Sequence, residues 1–421
     1  MKTSLAARAG ALCCSAVLAL SARPPHASAQ SGRVVVAKPT PELAAPPPKA
    51  EGVPATFVPE PGAEKYRLVY AADECGGVAG CEPAGRHARF NSFIKQLNNA
   101  GARGYRLMSV TNHVSPFAVM RLDGAPYEYG WFETGNETWY ASGGFFGVFG
   151  QQAKGGFRLA ERFFVSKYCE WRDPNDFLMG EECTVTELYL VERRKGVEKP
   201  REFYLAGSMP GWRSRMAEQL TAQVRERLDR GLYPTHAFSR FEVLLEEVEG
   251  VAGARPEMQV VTLGTWGKGD IDKKVNEAAR QGWRLAVVGH KVAVMERAAA
   301  ASPPATYVWV KAKEKDFEKR LAQLRESGAV YRMTYPDGDG QETRLVFERG
   351  AAGSPRRDYR VFKFESQDAL KVTGRKLRPG DLLGPPTKES VQAFEQLLKE
   401  GYEVRDLFVS DKVSALLERP Q

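Results

Sequence analysis

A glycine followed by an aromatic residue and a short apolar run recurs along the chain, and this recurrence limits the fold to one built from repeats. The motif occurs as ARGYRLMSV (102–110), KGGFRLAERF (154–163), RQGWRLAVVG (280–289) and KEGYEVRDLFV (399–409). Apolar residues recur at helical spacing upstream of most anchor glycines. A glycine suits the end of such a helix because it adopts the left-handed conformation without steric strain. The six anchor glycines are Gly104, Gly156, Gly231, Gly282, Gly328 and Gly401.

A strand-like run precedes each predicted helix, and two more follow each anchor glycine. The leading runs include KYRLVY (65–70), REFYLA (201–206), MQVVTL (258–263), TYVWVK (306–311) and DYRVFKF (358–364). The repeated unit is therefore β-α-β-β, and the chain predicts an α+β fold of six tandem repeats. We expect antiparallel-rich mixed sheets with helices on one face. Because one unit buries too little surface alone, we expect neighbouring copies to share sheets and to associate in pairs.

The predicted boundaries follow from the motif and from a composition change near the N-terminus. Repeat 2 is the least regular, since its helix position reads SGGFFGVFGQQA (142–153) and its four glycines make a regular helix doubtful. The predicted segments are a signal peptide (1–29), a Pro-rich linker (30–62), repeat 1 (63–125), repeat 2 (126–198), repeat 3 (199–253), repeat 4 (254–300), repeat 5 (301–353) and repeat 6 (354–421).

The order of strand, helix, glycine-aromatic turn and closing hairpin resembles a small bacterial βαββ domain of unknown function. The signature of that domain is a stretch like GxxGWELVSV. ARGYRLMSV is its best match here and RQGWRLAVVG the next. The resemblance concerns packing residues, so it implies a fold and brings no activity with it.

The first 29 residues have the pattern of a secretory signal peptide. Lys2 and Arg8 precede a twelve-residue apolar stretch (9–20), and ASA (27–29) offers a cleavage site. The stretch is too short to span a bilayer, which needs about 20 residues. We therefore expect an exported protein, periplasmic or extracellular, with no transmembrane segment in the mature chain.

Charge and histidine spacing indicate what the protein does not bind. The formal net charge is +8, but basic and acidic residues alternate and form no basic arm, so we expect no nucleic-acid partner. No histidine pair has metal-ligand spacing, and no phosphate-loop or nucleophile-elbow motif occurs. The sequence predicts no cofactor and no metal.

Four cysteines remain beyond the predicted signal: Cys75, Cys81, Cys169 and Cys183. Export places them in an oxidising compartment, where pairing is expected. Four cysteines allow three pairings, and a zinc site is the alternative, although no CxxC spacing supports it. We predict Cys75–Cys81 and Cys169–Cys183, because each pair lies within one insertion.

Candidate binding residues fall in insertions, turns and strands. Binding in repeat proteins usually resides in long loops, and here these are 71–87, 166–183 and 366–387. The second contains an aromatic-acidic mixture suited to a partner, while two histidines fall in the turn between the second and third strands of repeats 1 and 4. The candidates are Trp131, Trp139, Trp171, Asp173, Asp176, His113 and His290.

Three functional hypotheses follow. The first is an exported, non-enzymatic repeat protein that acts as a binding or structural scaffold in the cell envelope or outside the cell, with an envelope protein or glycan as partner. The second is a carbohydrate or peptidoglycan binder that stacks sugars on exposed aromatics, including Tyr140. The third is a hydrolase built around His113, near Ser115. No catalytic residue set is complete, so we expect no enzymatic activity.

Overall fold

Six β-α-β-β units follow one another along the chain. The structure is a computed structural model that describes residues 64–70, 83–111, 116–134, 142–171, 181–207, 216–238, 242–248, 256–263, 271–289, 291–297, 303–337, 342–349, 356–365, 386–410 and 412–420. Within these ranges only the backbone is described at 83–89, 142–144, 163–171, 181–187, 336–337 and 342.

The units have the following elements. Unit 1 contains β1 (Tyr66–Tyr70), α1 (Pro83–Gly101), β2 (Tyr105–Val110) and β3 (Phe117–Leu122). Unit 2 contains β4 (Tyr127–Thr134), α2 (Ser142–Lys154), β5 (Arg158–Trp171) and β6 (Glu181–Arg194). Unit 3 contains β7 (Phe203–Gly207), α3 (Met216–Leu228), β8 (Leu232–Phe238) and β9 (Glu242–Glu247).

The second half repeats this order. Unit 4 contains β10 (Glu257–Thr262), α4 (Ile271–Arg280), β11 (Arg284–Val288) and β12 (Val292–Arg297). Unit 5 contains β13 (Thr306–Lys311), α5 (Phe317–Glu326), β14 (Val330–Asp337) and β15 (Glu342–Arg349). Unit 6 contains β16 (Arg357–Lys363), α6 (Lys388–Lys399), β17 (Glu403–Val409) and β18 (Val413–Pro420).

Each unit forms its own three-stranded antiparallel sheet, in the order first, third, second strand. This confirms the α+β fold of six repeats. The expectation that neighbouring copies share sheets is wrong, because the first strand of a unit is covered by the preceding helix. Asn98 of α1 donates to the Tyr129 carbonyl oxygen at 3.0 Å and accepts from the Tyr129 N–H at 2.8 Å. Asn276 of α4 makes the same two bonds to Tyr307 in β13.

All six anchor glycines have positive φ, between 65° and 91°. At Gly282 the N–H donates to the Ala279 carbonyl, and the N–H of the next residue, Trp283, donates to Ala278, which closes the last turn of α4. Trp283 then packs in the core beside Ala279. The helix-ending role predicted from the motif is confirmed.

Replacing Gly282 by valine is expected to destabilise the protein by about 1–2 kcal/mol, because a β-branched side chain strains the left-handed conformation. Denaturant unfolding of the full chain measures this loss. The matched control is Gly147→Ala in α2, where an added Cβ meets nothing within 4 Å and the residue lies inside a helix. That change should stabilise by up to about 1 kcal/mol. Equal effects of the two substitutions would contradict the assignment.

The helix of unit 2 forms despite its glycines. Phe145 and Phe149 are buried and stack at 5.1 Å between ring centroids. Phe149 also meets Phe203 of unit 3 edge-on at 4.7 Å. Burial of several aromatic rings outweighs the low helix propensity of glycine, since each ring contributes a large apolar area. The helix that the glycine content made doubtful therefore forms, because tertiary packing stabilises it.

The six hydrophobic clusters each join two units, and together they close the six units into a ring. Each cluster holds the helix of one unit between its own sheet and the sheet of the next. Five clusters join successive units. The sixth joins the ends of the series, where Phe394 and Leu397 of α6 pack against Phe117 and Val119 of β3. The predicted association in pairs is therefore wrong, since every unit has two neighbours.

The middle strand of each sheet is buried on both faces as a result. In β3, Ala118 and Met120 face α1, while Phe117 and Val119 face α6, and all four are 4% exposed or less. Near-continuous apolar runs in the third strand of each unit follow from this double burial. No helix among the residues that the structure describes is long and apolar enough to cross a membrane.

Candidate functional site on the ring axis

The second strands of the units lie at the inside of the ring. They form one edge of each sheet, and they contact one another between units: β2 contacts β17, β8 contacts β11, and β14 contacts β17. The inner edges of the sheets therefore approach one another at these unit boundaries.

Each second strand carries a β-bulge at the same point of its pairing with the third strand. A bulge places one extra residue in a strand and re-aims the side chains beside it. The first paired residue after each bulge occupies an equivalent place in all six units, and we name these six places the axial positions. They hold Ser109, Glu161, His236, Val287, Met333 and Asp406.

The next unit binds the backbone just before these bulges. The Leu107 N–H donates to the Tyr129 hydroxyl at 2.7 Å, and the Leu285 N–H donates to the Tyr307 hydroxyl at 2.8 Å. The Tyr331 N–H donates to Tyr359 at 2.9 Å. Between units 2 and 3 a carboxylate replaces the tyrosine. These bonds satisfy amide groups that the bulges leave unpaired in the ladder.

Replacing Tyr307 by phenylalanine is expected to destabilise the protein by about 1 kcal/mol, because the buried Leu285 N–H loses its acceptor. Chemical denaturation of the full chain measures the change. Tyr204→Phe is the control, since that hydroxyl reaches its partner Gln223 only at 3.5 Å. A Tyr307→Phe effect no larger than the control would show that the bulge does not depend on this bond.

The arginine of the glycine-aromatic-arginine motif binds a buried glutamate near the end of a third strand. Arg106 of unit 1 and Arg158 of unit 2 both bind Glu192, at 3.3 and 2.8 Å from their Nε atoms. Glu348 likewise receives Arg284 of unit 4, at 3.2 Å. Glu192 and Glu348 each begin a Glu-Arg dipeptide near the end of a third strand. Both glutamates form ion pairs across unit boundaries.

Asp406 is the centre of a hydrogen-bonded knot of three units. Its carboxylate accepts from the hydroxyls of Ser109 in unit 1 and Tyr331 in unit 5. It also accepts from Thr334, and at 2.8 Å from the N–H of Leu407. The Ser109 oxygen in turn accepts from the Leu407 N–H at 2.8 Å.

Burial raises the pKa of Asp406, while these hydrogen bonds act in the opposite direction. Burial also raises the pKa of Tyr331 well above its usual value, and the neighbouring Asp406 charge adds to this effect. Tyr331 therefore stays a hydrogen-bond donor to the carboxylate at neutral pH.

Glu161 approaches the same region from unit 2. Burial is the largest cause that raises the pKa of Glu161, to about 7, and the negative charge of Asp406 contributes in the same direction, while the Arg162 N–H and the Arg162 charge act against them. That N–H donates to Oε1 of Glu161 at 3.0 Å. A carboxyl group with a pKa near 7 changes its charge within the physiological range.

His236 and Glu246 form a second polar group between units 2 and 3. Glu246 accepts from the Thr235 hydroxyl at 2.7 Å and from the Leu159 N–H at 2.9 Å. Burial raises the pKa of Glu246. Burial lowers the pKa of His236 to about 4, although its hydrogen bond to the Ala160 backbone opposes this shift. The imidazole is therefore neutral at physiological pH.

Glu161, His236, Asp406 and the adjoining Tyr331 are half-buried. Burial is the largest influence on the pKa of each of them. The inner strands therefore hold ionisable side chains that are shielded from water.

The geometry offers no nucleophile-base pair in the described part of the chain. The Ser109 hydroxyl already donates to Asp406 and accepts from Leu407, and the described imidazole of His236 bonds to Ala160. Among the described residues, no group of three or more His, Cys, Asp or Glu side chains is placed to hold a metal ion.

None of the residues selected from the sequence occupies an axial position. Trp131 is half-buried in the core between units 1 and 2, where its ring lies 5.8 Å from Phe90 and its Nε1 donates to Asn91. The backbone of Trp171 ends β5. The remaining candidates lie outside the described residues: Trp139, Asp173, Asp176, His113, His290, Cys75 and Cys81.

Sequence reasoning missed the axial residues, although a signal for them exists. Each axial position is the fifth residue after an anchor glycine, as in Gly156 and Glu161 or Gly401 and Asp406. Alignment of the six copies on their glycines therefore gives Ser, Glu, His, Val, Met and Asp in one column. This column can be recognised because four of its six residues are polar and all six differ.

Fold and axis together define a closed ring of six β-α-β-β units with ionisable groups on its inner strands. No known family model matches the chain, and no curated protein matches it.

Proposed function

We propose that this protein is exported and serves, without enzymatic activity, as a binding or structural scaffold in the cell envelope or outside the cell. The partner class is an envelope protein or a glycan. The signal-peptide pattern of residues 1–29 supports export. The specific relationship to the small βαββ domain of unknown function is part of the same proposal, supported by the six tandem units.

The single observation that carries the proposal is the direction of the strands. Tyr70 at the end of β1 pairs with Phe117 at the start of β3, and Lys363 at the end of β16 pairs with Ser414 near the start of β18. First strands therefore end where third strands begin, in every unit. We name this end of each sheet the loop end, and the anchor glycines lie at the opposite end.

The three insertions selected from the sequence leave and rejoin the described chain at the loop end. Segments 71–82, 135–141 and 366–385 connect first strands to helices, and segments 112–115 and 172–180 connect second strands to third strands. The selected residues His113, Trp139 and Asp173 belong to these segments. Variable loops collected on one side of a repeat scaffold are a usual site of partner binding.

The alternative glycan-binding function rests on Trp139, Tyr140 and Trp171, which belong to or adjoin these connections. Trp131 does not support it, because its ring packs in the core. A hydrolase around His113 is the third candidate, and the engaged Ser109 and His236 side chains supply it with no partner.

A pair of variants tests the proposal. The loop-end variant replaces residues 172–180 by a short Gly-Ser turn, and the control replaces residues 195–198, a connection at the glycine end. Both full chains are tested for co-sedimentation with purified peptidoglycan and for cross-linking to envelope proteins, and for location by cell fractionation. We expect loss of binding for the loop-end variant alone. Equal binding by both variants, or a cytoplasmic location of the parent, would reject the proposal.

The Cys169–Cys183 bridge is a prediction with its own test. The register of β5 and β6 pairs Cys169 with Cys183, and this pairing supports the prediction because directly opposed residues of an antiparallel ladder are generally within the range that disulfides span. We expect a non-reduced digest of the exported protein to yield one peptide pair joined through these residues. Cys169→Ser with Cys183→Ser should leave the global unfolding transition in place, since a bridge within one hairpin closes no long-range loop. Free thiols at both positions in the oxidised protein would contradict the prediction.

A further inference from the structure

Strands β5 and β6 are the longest in the part of the chain that the structure describes. Each has 14 residues, whereas the other described strands have five to eight. Their neighbour β4 ends at Thr134, opposite Glu187. Beyond that point β5 and β6 continue as a ladder of two strands toward the loop end. We name residues 166–171 and 181–186 the arm. At 3.3 Å per residue, the arm extends about 20 Å past the end of β4.

One side of β6 has no neighbouring strand in the arm. Successive residues of a middle strand bond alternately to the strands on its two sides. The Lys195 N–H donates to the Pro126 carbonyl oxygen where β4 and β6 begin to pair. Odd-numbered residues of β6 therefore bond to β4, and Glu187 is the last of them to meet it. Further along β6, three odd-numbered residues turn their backbone N–H and C=O groups to the same side, where no strand that the structure describes continues the ladder. They are Val185, Cys183 and Glu181.

This open edge of β6 differs from the edges of the ring itself. An uncovered strand edge pairs readily with another extended chain, and natural proteins cover such edges. In unit 2 the edge of β4 is covered, because Asn98 binds both backbone groups of Tyr129. The arm runs past this covered part. A ladder of only two strands is marginally stable in water, so a third strand would stabilise the arm.

The arm and its tip are acidic in a chain that is basic as a whole. Residues 166–186 contain five acidic and two basic residues, while the formal net charge of the chain is +8. The ladder also places Glu170 directly opposite Glu182. Like charges at directly opposite positions destabilise an antiparallel pair. A strand that carries lysine or arginine would relieve this repulsion, so charge complementarity favours a basic partner.

We propose that the arm binds an extended basic segment of an envelope protein, which pairs with the open edge of β6 as an additional strand. This inference rests on the scaffold function proposed above and selects a protein, not a glycan, as the partner. Main-chain hydrogen bonds to Val185, Cys183 and Glu181 supply the affinity, and basic side chains near Glu182 supply the selectivity. A glycan has no peptide backbone with which to continue the ladder.

The variant Val185→Pro tests this pairing in the full chain. Proline removes the N–H on the open side of β6 and is tolerated at such an edge, while Val185→Thr is the matched control that keeps the N–H. The probe is a synthetic peptide of alternating lysine and valine, and a peptide of alternating glutamate and valine is its counterpart. In fluorescence anisotropy titrations, we expect the basic peptide to bind the parent and Val185→Thr equally. Its affinity for Val185→Pro should be about tenfold lower or less, as loss of a hydrogen bond implies. Equal affinity of the two variants, or of the two peptides, would overturn the proposal.

Hydrogen exchange of the parent gives a second measurement that does not depend on a variant. The amides of Val185 and Cys183 should exchange rapidly in the free protein and become protected when the basic peptide is added. The amide of Thr184, which faces β5, should be protected in both states. No gain in protection at Val185 and Cys183 would overturn the proposal. Protection of these two amides in the free protein, together with a dimer in sedimentation, would instead place a second copy of this chain on the edge.

Cross-linking to envelope proteins separates this inference from the scaffold function on which it rests. Loss of the cross-links in Val185→Pro, with retention in Val185→Thr, supports both. Cross-links that persist in Val185→Pro but are lost when residues 172–180 are replaced would reject strand addition and leave the scaffold function standing. A parent that sediments with peptidoglycan and cross-links to no envelope protein would reject strand addition in favour of a glycan partner.

Discussion

Removal of unit 6, residues 354–421, is expected to abolish cooperative folding of the whole ring. Removal of unit 6 exposes apolar surface on both of its neighbours. The face of β3 that carries Phe117 and Val119 loses α6, and helix α5 loses the sheet face that carries Tyr359 and Leu416. Full burial of one such side chain contributes about 1.5–3 kcal/mol, so the combined loss exceeds the 5–15 kcal/mol by which domains are usually stable.

Circular dichroism and calorimetry of residues 1–353 measure this loss, and addition of residues 354–421 as a separate chain is the control. We expect the second fragment to restore a cooperative transition. Unit 6 packs against unit 1 without a covalent link in the intact chain, and the apolar contacts with unit 5 can form in the same way. A truncated chain that melts at the temperature of the full chain would show that the closure contributes no stability.

Replacement of Asp406 by alanine should destabilise the protein by about 3 kcal/mol or more. The substitution removes the acceptor of the Ser109 and Tyr331 hydroxyls in an enclosed region, and each orphaned donor costs about 1–3 kcal/mol. Urea denaturation of the full chain gives the difference in the free energy of unfolding.

Asp406→Asn is the matched control, because the amide keeps one oxygen as an acceptor and nearly the same volume. We expect its effect to be well below that of alanine. Equal effects of the two changes would mean that the knot contributes through the charge of Asp406 and not through its hydrogen bonds.

Local signals in the sequence were sufficient to predict the repeated unit. Helix ends are determined by the conformation of one residue, so the glycines at 104, 282 and 401 identify them without knowledge of the rest of the fold. Strands beside each helix follow from period-two apolar runs. The same reasoning underestimated α2, because the rings that stabilise it come partly from Phe203 of the next unit.

Ring closure was not predictable in this way. The contact between Phe117 and Phe364, whose ring centroids lie 4.7 Å apart, joins residues that are distant in the sequence, and neither local pattern identifies the partner of the other. The expectation of shared sheets failed for a similar reason. An edge strand such as β4 appears unpaired in sequence, whereas Asn98 of the preceding helix occupies its backbone groups.

The axial site was missed because its members differ from copy to copy. Repeats are recognised by residues that are the same in every copy. Glu161, His236 and Asp406 occupy a position at which the residue differs from copy to copy. The axial side chains are placed by a bulge, a backbone feature that apolar periodicity does not reveal.

Closure also has a consequence for how such a chain can change its length. An open array of repeats tolerates gain or loss of a copy, because each repeat contacts only its neighbours and the contacts of the other repeats stay the same. In this ring each unit fills one sixth of a full turn, so a seventh copy would require every helix to meet both of its sheets at a new angle. Copy number is thus fixed by geometry, while individual copies remain free to diverge, as the six different residues at one column already have.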